Sequence, residues 1–188
     1  MKKIILSVIV AFCSIFTVNA QDENVITNTE VSYGVKAGYN SFVARASADG
    51  NSVSVDESGF YFGIFADFAV SDKFNIQPEL QYVVITGDGD NGNVLVVPIL
   101  GKYAVSEKFN LLAGPQLDYV LDDDAEGLKR LGVGLALGLA FDINENFIID
   151  LRYSLGISNR LDIDDDDFGD QDVKVKFNYV QVGLGYRF

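Results

Sequence analysis

The chain has 188 residues, with 14 Lys and Arg against 27 Asp and Glu, a formal net charge of −13 and no His. Hydrophobic residues make up 48% and aromatics 12%, so the acidity lacks the low hydrophobicity that disorder requires. The charge argues against nucleic acid as a partner, and the missing His excludes Ser-His-Asp, Cys-His and His-metal chemistry.

Residues 1–20 predict a cleaved signal peptide. Lys2 and Lys3 form a positive start, Ile4 to Val18 is uncharged and mostly apolar, and Val18-Asn19-Ala20 places small residues for cleavage before Gln21. The apolar run is shorter than the roughly 20 residues of a membrane-spanning helix. Phe12 stands where a lipoprotein signal before Cys13 would have a small residue. Cleavage removes Cys13, the only cysteine, and with it any disulfide or thiolate site. No later segment is apolar enough for a spanning helix, which leaves a membrane β-barrel open.

Residues 21–30 read as a polar lead-in, and 31–188 as one domain of eight strands with period-two alternation. The first, 31–42, alternates Tyr33, Val35, Ala37 and Tyr39 with Gly34, Lys36, Gly38 and Asn40. The second, 58–70, sets Phe60, Phe62, Ile64 and Phe68 against Tyr61, Gly63, Phe65 and Asp67. The third, 74–86, sets Phe74, Ile76, Leu80 and Tyr82 against Asn75, Gln77, Glu79 and Gln81. The fourth, 94–104, is the least regular, with Leu95, Val97, Ile99 and Tyr103 opposite Pro98, Leu100 and Lys102. The fifth, 109–121, opposes Phe109, Leu111, Leu117 and Tyr119 to Asn110, Gly114, Gln116 and Asp118. The sixth, 131–142, is the cleanest: Leu131, Val133, Leu135, Leu137, Leu139 and Phe141 alternate with small residues and Asp142. The seventh, 147–157, opposes Phe147, Ile149, Leu151 and Tyr153 to Asp150, Arg152 and Ser154. The eighth, 180–188, opposes Val182, Leu184, Tyr186 and Phe188 to Gln181, Gly183, Gly185 and Arg187.

The connections alternate in length. Three are tight polar turns that lead into Phe74, Phe109 and Phe147. Four are longer, at 43–57, 87–93, 122–130 and 158–172, and hold most of the acid, including Asp122-Asp123-Asp124 and Asp164 to Asp167. This rhythm predicts an all-β, eight-stranded, antiparallel up-and-down transmembrane β-barrel. Strands of about 10 residues tilted near 45° cross an apolar band about 25 Å tall, and an even number closes with no free edge. Phe74, Phe109, Phe141, Phe147 and Phe188 collect at the short-turn end, and Tyr39, Phe60, Tyr82, Tyr119 and Tyr153 toward the other, as two membrane interfaces demand.

The polar face is rich in Gly and Ala and carries charges of both signs. In a narrow lumen, Lys36, Lys102, Arg152 and Arg187 are expected to meet Asp67, Glu79, Asp118 and Asp150 as a salt-bridged plug. A narrow porin-like channel for ions or small solutes is the alternative use of that lumen. A soluble lipocalin-like binding barrel would share the alternation with its faces reversed.

The end of the chain adds a signal of its own. Gln181, Gly183, Tyr186 and Phe188 have the spacing of an outer-membrane assembly signal, which predicts recognition by the barrel-assembly machinery. With Gly34-Val35-Lys36-Ala37-Gly38-Tyr39-Asn40, Phe74 to Tyr82, Val97 to Tyr103 and Leu112 to Leu117, this strand makes 31–188 resemble the small outer-membrane β-barrel proteins of the porin family, PorT-like, with OmpA/OmpX-type architecture. The resemblance implies the fold and a bacterial outer-membrane location, and little about activity.

Barrel proteases and barrel lipid deacylases resemble this architecture but depend on His, so no enzymatic activity and no cofactor are expected. Asp162, Asp164 and Asp166 are weak candidates for a divalent cation, because Gly169 is two places late for an EF-hand loop. The expected protein is a monomer in outer-membrane lipid. It is closed and structural, or surface-interacting through its acidic external loops, with no external ligand specified.

Overall fold

A computed structural model describes residues 31–48, 51–87, 92–122, 128–161 and 174–188. The expected signal peptide and lead-in lie outside the described residues, as do Asp162, Asp164 and Asp166. Eight strands form: β1 Val31–Ala48, β2 Asn51–Ser71, β3 Phe74–Thr86, β4 Gly92–Ala104, β5 Phe109–Val120, β6 Leu131–Asp142, β7 Phe147–Gly156 and β8 Lys174–Arg187. Each pairs antiparallel with its chain neighbours, and β1 closes on β8 from Gly34 opposite Arg187 to Ser47 opposite Lys174. The fold is therefore the closed up-and-down barrel that the alternation predicts.

The pleat sorts side chains by chemistry. On β6, Leu131, Val133, Leu135, Leu137 and Leu139 are exposed on the outer wall, while Gly132, Gly134, Ala136 and Ala140 are buried inside. On β7, Phe147, Ile149, Leu151 and Tyr153 face out, and Asp150, Arg152 and Ser154 face in. A soluble ligand-binding barrel would bury the apolar set and wet the polar one. Here the apolar set forms an outer band, the arrangement that hydrocarbon stabilises.

Aromatic pairs reinforce the short-turn end of that band. The ring centroids of Phe109 and Phe141 are 4.9 Å apart, those of Phe147 and Tyr186 5.1 Å, and those of Tyr186 and Phe188 5.5 Å. The short turns are built from local bonds: Asn144 Oδ1 accepts from the backbone N–H of Phe147 at 2.7 Å, and Ser106 Oγ accepts from that of Phe109 at 3.2 Å.

The structure corrects one element of the sequence reading. The stretch 43–57 is not a loop. β1 and β2 continue through it as a hairpin, paired from Phe42 opposite Glu57 up to Ala48 opposite Asn51. β8 likewise starts at Lys174, not near Val180, and pairs with this extension of β1. Beyond Ser58, which faces Thr86, β2 has no partner on β3. Three strands therefore project past the rest of the rim as a small sheet.

Candidate functional site

The lumen is the place where this chain concentrates its chemistry, and it is filled in layers. At the short-turn mouth, Lys102 Nζ contacts Asp67 Oδ2 at 2.9 Å. Asn75 donates to Asp67 at 2.6 Å. Arg187 Nη2 lies 3.2 Å from Asp142 Oδ1 and 3.9 Å from Asp67 Oδ2, and Asn110 donates to Asp142 at 2.6 Å. These residues line a polar cavity of about 300 Å³. Above them Phe65, Leu100, Leu112, Ala136, Ala140 and Ile148 form an apolar layer.

The central layer is a charge network. Lys36 Nζ donates to Glu79 Oε1 at 3.0 Å and to Asp150 Oδ2 at 2.9 Å. Arg152 grips Glu79 with both terminal nitrogens, at 2.9 and 3.0 Å, and reaches Asp150 at 3.4 Å. The side-chain amides of Gln77 and Gln81 each donate to Glu79 at 2.6 Å, and Gln181 donates to Gln81 at 3.0 Å. β3 and β7 are four strands apart in a ring of eight, so the Glu79–Arg152 pair spans the diameter. The four charged groups sum to zero, and all are between 0% and 5% exposed. Two cations, two acids and a bidentate fork are what a buried charge set needs to be tolerated.

Toward the long-loop end lies a second apolar layer of Phe42, Tyr61, Val83, Ile85, Val94, Val96, Phe177 and Tyr179. Tyr61 is anchored by absence: a side chain at Gly183 would collide with its hydroxyl, and one at Gly38 would come 2.9 Å from its ring. Asp118 forms an ion pair here with Arg160, whose Nη1 donates to the Lys129 carbonyl at 2.9 Å and whose guanidinium lies 4.5 Å from the Phe177 ring centre. Backbone bonds from Arg160 N–H to the Val175 carbonyl and from Lys129 N–H to the Arg160 carbonyl tie the residues around it together. Burial lowers the Arg160 pKa, and the nearby Tyr179 opposes the shift; the ordinary value is so high that the charge persists.

The eight expected lumen charges thus occupy three levels. Lys36, Glu79, Asp150 and Arg152 come together at the centre. Asp67, Lys102 and Arg187 share the mouth, and Asp118 stands apart from the four expected cations. Two members were not anticipated, Asp142 and Arg160. Asp142 is the last inward position of β6. Arg160 comes from a loop, which strand periodicity cannot place. The legible trace of it was Gly132, directly opposite Asp118, where any side chain would displace the guanidinium. In the last strand, Gln181 and Gly183 point into the lumen, while Tyr186 and Phe188 lie on the outer wall.

The family model for outer membrane protein beta-barrel domains matches residues 9–188. The chain belongs to this family. Members of it reside in the bacterial outer membrane, and so does this barrel, its apolar band in contact with lipid. Its fold is similar to that of Ail, the attachment invasion locus protein of Yersinia pestis, at 18% identity and a TM-score of 0.51, covering 85% of this chain and 99% of that one. A backbone structure of Ail in a phospholipid bilayer nanodisc matches at 17% identity and a TM-score of 0.50, covering 85% and 100%. OprG from Pseudomonas aeruginosa matches at 16% identity and a TM-score of 0.49, covering 88% and 99%. No curated protein matches. The family and the barrels of this kind are in general not enzymes.

Proposed function

We propose that this protein is a closed outer-membrane barrel with a structural or surface-interacting role, holding acidic loops outside the cell. The observation that carries the reading is the Lys36–Glu79–Arg152–Asp150 network, which crosses the lumen between two apolar layers with no member more than 5% exposed. An ion entering this lumen would have to break charge-assisted bonds in a low-dielectric interior, which costs several kcal/mol per group. On the same reading the barrel is a non-catalytic monomer, exported by a cleaved signal at 1–20 and inserted by the barrel-assembly machinery through its last strand.

Buried polar atoms of Asn40, Tyr61 and Tyr179 have no protein hydrogen-bond partner, and ordered water is what usually satisfies such groups. Conductance of the purified protein in planar bilayers tests closure. A flat current at both polarities is expected. Steady, reproducible openings would establish a channel and overturn the closed barrel.

A further inference from the structure

The projecting sheet has two faces of different chemistry. Alternation continues beyond the membrane band, so the lumen-side face carries Ala44, Ala46, Val53, Val55, Val175 and Phe177. The opposite face continues the lipid-facing wall. On β1 the wall positions run outward from Tyr33 to Tyr39 and Val43, and the next is Arg45. The register sets Arg45 directly opposite Lys176 on β8 and Ser54 on β2, with Lys174 opposite Ser47 one step further out.

This arrangement is costly as it stands. Like charges directly opposite across antiparallel strands repel. The chain carries a net charge of −13, yet Arg45 and Lys176 form no ion pair with any described residue. Asp56, the acid on this face, stands opposite Val43, diagonal to Arg45, and does not bridge to it. Arg45 and Lys176 stand on the outward face of this sheet, the next step beyond Val43 on the wall that faces lipid lower down.

We propose that Arg45 and Lys176 form a binding surface for the phosphate groups of outer-leaflet lipid headgroups. A guanidinium fork takes two phosphate oxygens at once, and the Lys176 ammonium opposite it adds charge without fixing geometry. The Ser47 and Ser54 hydroxyls are donors on the same face. A phosphate also removes the repulsion between Arg45 and Lys176, so the opposed pair becomes favourable when the barrel is in its membrane. The site would fix the depth and tilt of the projecting sheet.

The test compares the full chain with R45Q/K176Q and R45K/K176R, in phosphatidylcholine nanodiscs containing diphosphorylated or dephosphorylated lipid A. Retained lipid is counted by native mass spectrometry after release into mild detergent. Heat-modifiable migration on a gel reports that each variant is folded. Wild type should retain the diphosphorylated form about tenfold better than the dephosphorylated one, and the preference should shrink with salt. R45Q/K176Q should lose the preference, and R45K/K176R should keep most of it. Equal retention of both lipids by wild type, or an unchanged preference in R45Q/K176Q, would overturn the proposal. So would displacement of the lipid by soluble inorganic pyrophosphate at equal concentration, which would assign the row to a soluble ligand.

Discussion

Glu79 illustrates how a single carboxylate organises the lumen. It accepts from Lys36, Gln77, Gln81 and both terminal nitrogens of Arg152, five donors where a carboxylate offers roughly four lone-pair sites, so none of its acceptor capacity is left unused. Removing one partner leaves a buried charge uncompensated, at a cost of about 3–5 kcal/mol. We expect R152M and E79Q each to lower stability by that order, read as the urea midpoint for unfolding from lipid vesicles. The double variant R152M/E79Q leaves the neutral pair Lys36–Asp150, 2.9 Å apart, and should recover much of the loss. Additive losses would show that Arg152 and Glu79 do not act as one unit. A second residue-scale test concerns Gly183. Its missing side chain is the space for the Tyr61 hydroxyl, so G183A should destabilise the barrel by about 1–3 kcal/mol. Y61F/G183A should regain part of this, because the ring carbon beneath the hydroxyl is 3.1 Å from the added methyl position. Gly183 was legible as part of a terminal pattern, but its contact was not: nothing in the chain order brings residue 61 against residue 183.

At the scale of the element, legibility followed the solvent. Inside the membrane band every second residue must be apolar, so β3, β5, β6 and β7 could be read to within one residue of their observed ends. The outer parts of β1, β2 and β8 have no hydrocarbon against them. Their outward positions are Arg45, Ser47, Ser52, Ser54, Lys174 and Lys176, which a sequence reader takes for a polar loop. Pairing, not burial, makes them strands. β6 gives the complementary test. Leu137 is near the middle of the outer wall and Leu131 is at its long-loop rim, both exposed. L137R should cost about 2–4 kcal/mol and L131R about 0–1 kcal/mol when unfolding from vesicles is measured. Equal costs would mean that the band is placed wrongly along the strands.

At the scale of the whole molecule, closure depends on β8 meeting β1, and the last residue contributes little to it. The register runs from Gly34–Arg187 to Ser47–Lys174 without Phe188. Phe188 is 74% exposed, touches the edge of Tyr186, and adds one backbone bond from its N–H to the Tyr33 carbonyl at 2.9 Å. A folded barrel should therefore hardly notice its loss. A machinery that reads an aromatic at the end of the last strand would notice it at once. Deleting Phe188 is thus expected to leave the urea midpoint of the refolded protein unchanged in lipid vesicles while reducing its level in the outer membrane several-fold. Phe188→Tyr, which keeps an aromatic at the interface, should restore that level. The two measurements separate assembly from stability: a fall in both would make Phe188 a structural residue of the closed barrel, and a fall in neither would remove the last strand from consideration as an assembly signal.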